Sequence, residues 1–322
     1  MISTPESPTT ARATAFVAER RASAETIGIA LAESTNDPDA FAKELTRGLA
    51  KLADPDYLAG QRRIAPGIGA LHGVRWPLLA AVQRGFKVAS KGTRPTPLLF
   101  LADRLFREPE LESRWFAFGL LERTLGIEPE RTWQLLRRAA REAGDWITVD
   151  SLAHPYGTGI ALEPYRWAEL EQLIYSPSRW ERRLVGSTIA TMTHGRRRSG
   201  RDPELPRIAL ALLAQLMGDA EPDVQKALAW AYRSLAALDP AATHAALLKE
   251  TELAATDGDG HRAWVIRDAL GKVDPSAAGA LRERLTGIRK RPGAPATSRA
   301  AETSARFGGL PEPSAHPEPP LA

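Results

Sequence analysis

Apolar residues recur along most of the chain with the spacing of one helix face. Within residues 97–106, leucine, phenylalanine and alanine occupy positions 98, 99, 101, 102, 105 and 106. This pattern has the period of an amphipathic helix. Residues 11–32 also favour a helix, and beyond them the alternating β-branched and aromatic runs that indicate strands are almost absent. We therefore predict an all-α protein.

The predicted helices share one kind of start. Asp-Pro pairs precede apolar helical patterns at residues 37–38, 202–203, 239–240 and 274–275. An aspartate can accept hydrogen bonds from the free amides of a first helical turn, and proline suits the first helical position, where no donor is needed. The last three pairs lie 37 and 35 residues apart. This period favours a right-handed α-solenoid of about six HEAT-like helical hairpins.

Three tryptophans are each followed by an arginine three residues later. The pairs are Trp180 with Arg183, Trp230 with Arg233, and Trp264 with Arg267. A spacing of three places ring and guanidinium on one helical face, and equivalent faces of successive solenoid repeats line one concave groove. The alternative is that each tryptophan packs in the core beside a solvated arginine, and the spacing alone favours this alternative.

Composition narrows the classes of function only a little. The 322 residues carry a net charge of +4, which permits a nucleic-acid partner but also fits a composition rich in alanine and arginine. The absence of cysteine excludes disulfides and thiolate metal sites, and the six scattered histidines lack ligand spacing, so we expect no bound metal. The longest apolar run, residues 208–214, is too short to span a bilayer. With no signal pattern at the N-terminus, we expect a cytoplasmic protein without a membrane partner.

The chain divides by composition into a central domain and two short ends. Residues 1–10 are rich in Ser, Thr and Pro, and residues 289–322 in Pro and Ala; we expect both to be disordered because neither can bury much apolar surface. Residues 11–288 are expected to form a single helical repeat domain. Within it, the basic segment 195–201 reads Gly-Arg-Arg-Arg-Ser-Gly-Arg, which fits either a phosphate-contacting loop or an ordinary solvated one.

The stretch 144–153 places an aromatic ring and a carboxylate four residues apart. In a helix, Trp146 and Asp150 would lie one turn apart on the same face. A carboxylate can stabilise the oxocarbenium-like sugar that forms when an N-glycosidic bond breaks. At about 4 Å and an effective dielectric near 20 this attraction is worth roughly 4 kcal/mol, or about a thousandfold in rate.

Tryptophan faces also favour cations. A base already cationic through alkylation leaves as a neutral molecule, so its departure needs no general acid. The alternative is a core tryptophan beside a solvated or locally hydrogen-bonded aspartate.

Four segments, in order, resemble one family. Residues 146–152 resemble the Trp-Asp-x-Val-Asp-Ser motif of the HEAT-like-repeat DNA alkylation-repair glycosylases, the AlkD family. Residues 73–77 are similar to its Gly-Val/Ile-x-x-Pro motif, residues 178–183 to its Asn/Ser-x-Trp-x-x-Arg helix start, and residues 225–233 to its Lys-Ala-Ile-x-Trp-x-Leu-Arg helix. The resemblance extends over roughly residues 38–288. It departs at Ile147, where the family often has an acidic residue.

The resemblance implies a glycosylase that removes N3- and N7-alkylated purines from duplex DNA, without a cofactor and, we expect, as a monomer. It implies that Asp150 is the catalytic carboxylate and that Trp146 and Trp230 flank the damaged nucleotide. It also implies that arginines hold the phosphate backbone in the concave groove. The arginines expected to bind DNA are Arg75, Arg183 and Arg233, although other members carry small polar residues near Arg75.

The sequence also bears on the reaction type. No lysine lies next to Asp150, which favours a monofunctional glycosylase over Schiff-base lyase chemistry. The alternative is a non-catalytic helical-repeat scaffold that binds DNA or protein, because fold alone does not decide function. The joint presence of Trp146, Asp150, Arg183, Trp230 and Arg233 favours the enzyme. Trp264 and Arg267 have no role in the resemblance and are expected to be structural.

Overall fold

A computed structural model describes residues 8–195 and 203–306, which are helical and without a β-strand, as expected for an all-α protein. The described residues divide into two compact units at the Leu136–Arg137 bond. The helices of the first unit are α1 (Pro8–Ala30), α2 (Pro38–Lys51), α3 (Pro55–Ile64), α4 (Trp76–Ala89), α5 (Pro95–Leu105), α6 (Leu111–Thr124) and most of α7 (Pro129–Glu142).

The second unit contains nine further helices among its described residues. They are α8 (Trp146–Leu162), α9 (Trp167–Gln172), α10 (Arg179–Gly195), α11 (Glu204–Leu216), α12 (Pro222–Ala236), α13 (Pro240–Asp257), α14 (Gly260–Ala269), α15 (Pro275–Arg284) and α16 (Arg299–Arg306). Short 3-10 turns extend or link several of these helices.

The Asp-Pro pairs mark helix starts in the structure. Asp37, Asp239 and Asp274 precede α2, α13 and α15, and each side chain accepts a hydrogen bond from an amide of the first turn. Asp54 does the same for α3 through Asp54-Pro55, a fifth pair that was not among the predicted helix starts. Asp202 lies outside the described residues. The capping prediction is therefore confirmed wherever the described residues test it.

The first unit has a core of aromatic rings. Phe41, Phe86 and Phe116 come from α2, α4 and α6, and their ring centroids lie 5.2 to 5.9 Å apart. All three are 1% exposed or less. Aromatic pairs at such distances add to the stabilisation that burial itself provides. The cluster therefore joins three helices that are distant in sequence.

The second unit contains a layer of neighbouring parallel helices. Asp150 of α8 contacts Arg183 of α10, and Ala153 contacts Thr191 further along both helices. The two helices therefore run in the same direction. The same order relates α10 to α12 and α12 to α14. Helices α11, α13 and α15 pack in succession as a second layer. This arrangement places one face of α8, α10 and α12 side by side.

The expectation of a disordered C-terminal segment is wrong for residues 289–306. The Thr297 amide donates to the Gly218 carbonyl over 2.9 Å, and the Ser304 hydroxyl donates to the Tyr175 carbonyl over 3.3 Å. Ser298 and Ala300 are each 1% exposed. Composition misled the prediction because it does not reveal these hydrogen bonds to residues distant in sequence. Residues 307–322 lie outside the described part.

Two further predictions fall partly outside the described residues. Helix α1 begins at Pro8, so residues 8–10 of the N-terminal segment are helical and not disordered. Proline is well tolerated in a first helical turn. Of the basic segment 195–201, only Gly195, the last residue of α10, is described.

Candidate active site

Helix α8 presents Trp146 and Asp150 one turn apart, as the sequence predicted. Asp145 caps this helix, with Oδ1 accepting from the Thr148 amide over 2.8 Å and Oδ2 from the Thr148 hydroxyl over 2.7 Å. Trp146 is then the first helical residue and Asp150 lies in the following turn. Because Asp145 is buried and satisfied by its own helix start, Asp150 is the carboxylate of this stretch that remains for other partners.

Asp150 accepts hydrogen bonds from two residues of α10. Its Oδ1 accepts from Arg183 Nε over 3.1 Å and from the Ser187 hydroxyl over 2.6 Å, and its Oδ2 accepts from Arg183 Nη2 over 2.8 Å. The remaining Arg183 nitrogen, Nη1, donates to the Asp223 carbonyl over 2.7 Å. The Arg183 side chain is 6% exposed and that of Asp150 21%. The cluster thus buries its cation and leaves the carboxylate partly open to solvent.

The ring of Trp146 lies on the same cluster. The guanidinium carbon of Arg183 is 5.8 Å from its centroid, within the range of a cation–π interaction. Trp146 is half-buried. The structure therefore joins three of the predicted site residues, Trp146, Asp150 and Arg183, through contacts between α8 and α10.

Helix α12 carries the next two predicted residues. Trp230 is half-buried and lies seven residues after Asp223, on the same helical face. Arg233 turns toward α14, where its Nη1 donates to the Asp268 carbonyl over 2.8 Å and to Asp268 Oδ2 over 2.7 Å. Its side chain is 31% exposed. Arg233 is thus a more accessible cation than Arg183.

Arg75 belongs to the first unit and is held by a different carboxylate. Its Nε donates to Asp54 Oδ2 over 2.7 Å, and its guanidinium carbon lies 5.0 Å from the Tyr57 ring centroid. Burial acts to raise the pKa of Asp54, but hydrogen bonds from Arg75 and two backbone amides outweigh it and hold that pKa below the ordinary 3.8. The predicted contact between Arg75 and DNA would have to form beside this pair.

The Gly-Val-x-x-Pro segment has a structural explanation in the first unit. Gly73 has φ +85°, and an added Cβ would lie 2.7 Å from the Leu58 Cβ, so only glycine fits there without strain. The buried Glu112 carboxylate accepts hydrogen bonds from the amides of His72, Gly73 and Val74. This motif therefore shapes the entry to α4.

The third Trp-x-x-Arg pair contacts the segment that follows α15 in the second unit. Arg267 Nη2 donates to the carbonyls of Leu285 and Ile288, each over 2.6 Å. Lys290 Nζ lies 4.2 Å from the Trp264 ring centroid. These contacts agree with the structural role expected for Trp264 and Arg267.

Sequence reasoning missed Ser187 and Glu112. Ser187 follows Arg183 by four residues, so the helical period places both on one face of α10, but nothing in the sequence marks its partner. Glu112 lies in the polar first turn of α6, where nothing distinguishes it from neighbouring charged residues. Within residues 8–195 and 203–306, no group of three His, Asp or Glu side chains is arranged to hold a metal ion. None of the helices described here is long and apolar enough to cross a bilayer.

The fold and the cluster define an all-helical protein with a partly exposed aspartate supported by arginine and serine. Residues 45–273 match the family model of the DNA alkylation repair enzymes. That match covers most of the 322 residues and includes all six predicted site residues. The chain belongs to the DNA alkylation repair enzyme family. It has no match among the curated proteins.

Proposed function

We propose that this protein is a monofunctional DNA glycosylase that hydrolyses the N-glycosidic bond of N3- and N7-alkylated purines in duplex DNA. The observation that carries the proposal is the Asp150 carboxylate of α8, which is 21% exposed and is held by hydrogen bonds from Arg183 and Ser187. A negative group held in this way suits a reaction that develops positive charge on a sugar. Membership of a DNA alkylation repair family supplies the class of substrate.

The reaction needs few groups. The bond between C1′ and the purine nitrogen breaks with its electron pair going to the base, and the alkylated purine departs as a neutral molecule. Asp150 stabilises the resulting sugar cation and accepts a hydrogen bond from the attacking water. The oxygen of that water bonds to C1′, and its proton passes through Asp150 to solvent. The products are the free base and an abasic site.

The ion pair with Arg183 changes the electrostatic contribution. A carboxylate about 4 Å from the sugar cation contributes roughly 4 kcal/mol of attraction, whereas a guanidinium about 7 Å away opposes it by roughly 2.4 kcal/mol at an effective dielectric near 20. The net gain is about 2 kcal/mol, some 20-fold to 30-fold in rate. Without the carboxylate, the buried Arg183 would repel the sugar cation. Asp150 is therefore necessary for the reaction, although the Asp150–Arg183 pair as a whole raises the rate only modestly.

Aromatic and basic side chains provide the remaining contacts. Trp146 and Trp230 are proposed to flank the damaged nucleotide with their half-buried rings. Arg75 and Arg233 are proposed to contact the phosphate backbone, with Arg233 as the stronger candidate because its side chain is 31% exposed. Arg183, which the resemblance assigns to the phosphate backbone, is 6% exposed and bonded to Asp150 and the Asp223 carbonyl, so we propose that it supports the carboxylate instead. The parallel layer of α8, α10, α12 and α14 supports a right-handed α-solenoid of HEAT-like hairpins whose concave face receives the duplex.

Base release from methylated duplex DNA tests the proposal. We expect the wild type to release methylated purine and Asp150→Asn to bind the same DNA but release base about a thousandfold more slowly, because the cation loses its nearby negative charge. The measurement is single-turnover release, together with DNA binding by both proteins.

The comparison of the wild type with Asp150→Asn tests the reaction class and the assignment of Asp150 separately. If the wild type binds the duplex but releases no base, the glycosylase proposal fails and the non-catalytic scaffold is favoured. If both proteins release base at the same rate, the assignment of Asp150 fails although the reaction class stands.

A further inference from the structure

The two oxygens of Asp150 differ in how many donors they receive. Oδ1 accepts from Arg183 Nε and from the Ser187 hydroxyl, whereas Oδ2 accepts from Arg183 Nη2 alone among the described contacts. A carboxylate oxygen offers about two acceptor positions. Both positions of Oδ1 are therefore occupied, and Oδ2 keeps one for a further donor.

We propose that Ser187 is a positioning residue that makes Oδ2 the reactive oxygen of Asp150. Its hydroxyl fills the second acceptor position of Oδ1, so that the attacking water and the developing sugar cation meet Oδ2. The inference rests on the proposed glycosylase function and deepens it, because it names the atom that acts and the residue that selects it.

The place of Ser187 is fixed by backbone packing. An added Cβ at the preceding Gly186 would lie 2.8 Å from the backbone carbon of Ala227, so α10 and α12 approach closely at this level. Ser187 itself is 0% exposed. The close packing of α10 against α12 therefore keeps the Ser187 hydroxyl in place beside Asp150.

The hydroxyl is not what holds α8 and α10 together. The single hydrogen of the Thr191 hydroxyl is shared between the Thr188 carbonyl of its own helix, 2.9 Å away, and the Ala153 carbonyl of α8, 3.1 Å away. Arg183 binds Asp150 through two nitrogens. The helix contact persists without the serine oxygen. What changes is Oδ1, which then has an open position that competes with Oδ2 for the water.

Three variants test the assignment in the full chain, with methylated duplex DNA as the substrate. Ser187→Ala is expected to lower the single-turnover rate of base release about tenfold, near the lower end of the effect of a hydrogen bond to a charged group. Its dissociation constant for the duplex stays at the wild-type value, because the hydroxyl faces Asp150 and not the DNA. Ser187→Thr keeps the hydroxyl and restores most of the rate.

Ser151→Ala is the matched control. It also removes one serine hydroxyl from this cluster of helices, but that hydroxyl belongs to a half-buried residue and donates to the Ile147 carbonyl within α8. It is expected to release base at the wild-type rate. Thermal unfolding of each variant shows whether a change in rate reflects lost folded protein.

Three results would overturn the assignment while leaving the glycosylase proposal intact. These are an active wild type with an equally active Ser187→Ala, equal impairment of Ser187→Ala and Ser187→Thr, or a Ser151→Ala variant as slow as Ser187→Ala. An inactive wild type would instead overturn the glycosylase proposal, and the role of Ser187 with it.

Discussion

Asp54 in the first unit and Asp150 in the second are each bonded to an arginine, but their oxygens are used differently. Asp54 Oδ1 caps α3 through the amides of Asp56 and Tyr57, and its Oδ2 accepts from Arg75. Asp150 lies inside α8, where nearby amides are engaged by the helix itself, so its partners come from α10. The Asp54 side chain is 9% exposed and that of Asp150 21%.

The difference shows why position in a helix matters for a carboxylate. An aspartate just before a helix is satisfied by the free amides of the first turn. An aspartate in the second turn finds no free amide nearby, so tertiary partners decide its orientation and one acceptor position can stay open. Each carboxylate has one oxygen with a single described donor, so exposure is what separates them. The Asp54 side chain is 9% exposed and that of Asp150 21%, and we therefore expect Asp54 to be structural and Asp150 to reach a substrate.

The largest expected effect is a difference between the Asp54→Asn and Asp150→Asn variants in the rate of base release. Asp54→Asn should leave the rate of base release per folded molecule unchanged, while Asp150→Asn lowers it about a thousandfold. Asp54→Asn should instead lower the free energy of unfolding by about 1–2 kcal/mol, because it weakens a helix cap and a largely buried ion pair. Single-turnover kinetics and denaturant unfolding measure the two quantities.

Slow release by Asp54→Asn at full folding would break this comparison, because it would place Asp54 in the reaction. Denaturant unfolding in parallel is the control, since it separates a slower reaction from a smaller folded fraction.

A smaller effect is expected on DNA binding. Arg233→Ala should weaken binding to the duplex and reduce the slope of log affinity against log salt by about 0.9, the amount for one phosphate contact. Arg75→Ala should change the slope less, because its ion pair with Asp54 is more buried than that of Arg233 with Asp268: the arginine side chains are 19% and 31% exposed. Titrations at several salt concentrations measure both slopes, with the wild type as reference. Equal reductions would show that a phosphate reaches Arg75 despite Asp54.

The smallest effect concerns pH. The pKa of Asp54 is lower in the folded protein than the ordinary 3.8, so folding favours its ionised form. The stability that follows is fully present above about pH 4 and is lost as pH falls through the folded pKa. The difference in unfolding free energy between wild type and Asp54→Asn should therefore shrink below about pH 4. A difference that grows on acidification would contradict the assigned direction.

Local patterns in the sequence predicted the helices and part of the site. A cap such as Asp37 or Asp239 acts within three residues, and the helical period alone places Trp146 and Asp150 on one face. These features depend on neighbours along the chain, so the sequence displays them directly. Even there one local rule misleads: α8 continues through Pro155, where a proline would ordinarily break or kink a helix.

Tertiary packing decided what surrounds Asp150. Arg183 and Ser187 are 33 and 37 residues away from it in sequence, and they reach it because α10 packs in parallel beside α8. Packing also decided that residues 289–306 are ordered, through backbone hydrogen bonds that composition does not reveal. Residues close together along the chain are therefore enough to predict the helices, their caps and the ring and carboxylate on one face. The partners that hold this carboxylate, and the oxygen that they leave open, depend on how helices distant in sequence pack together, which no local pattern shows.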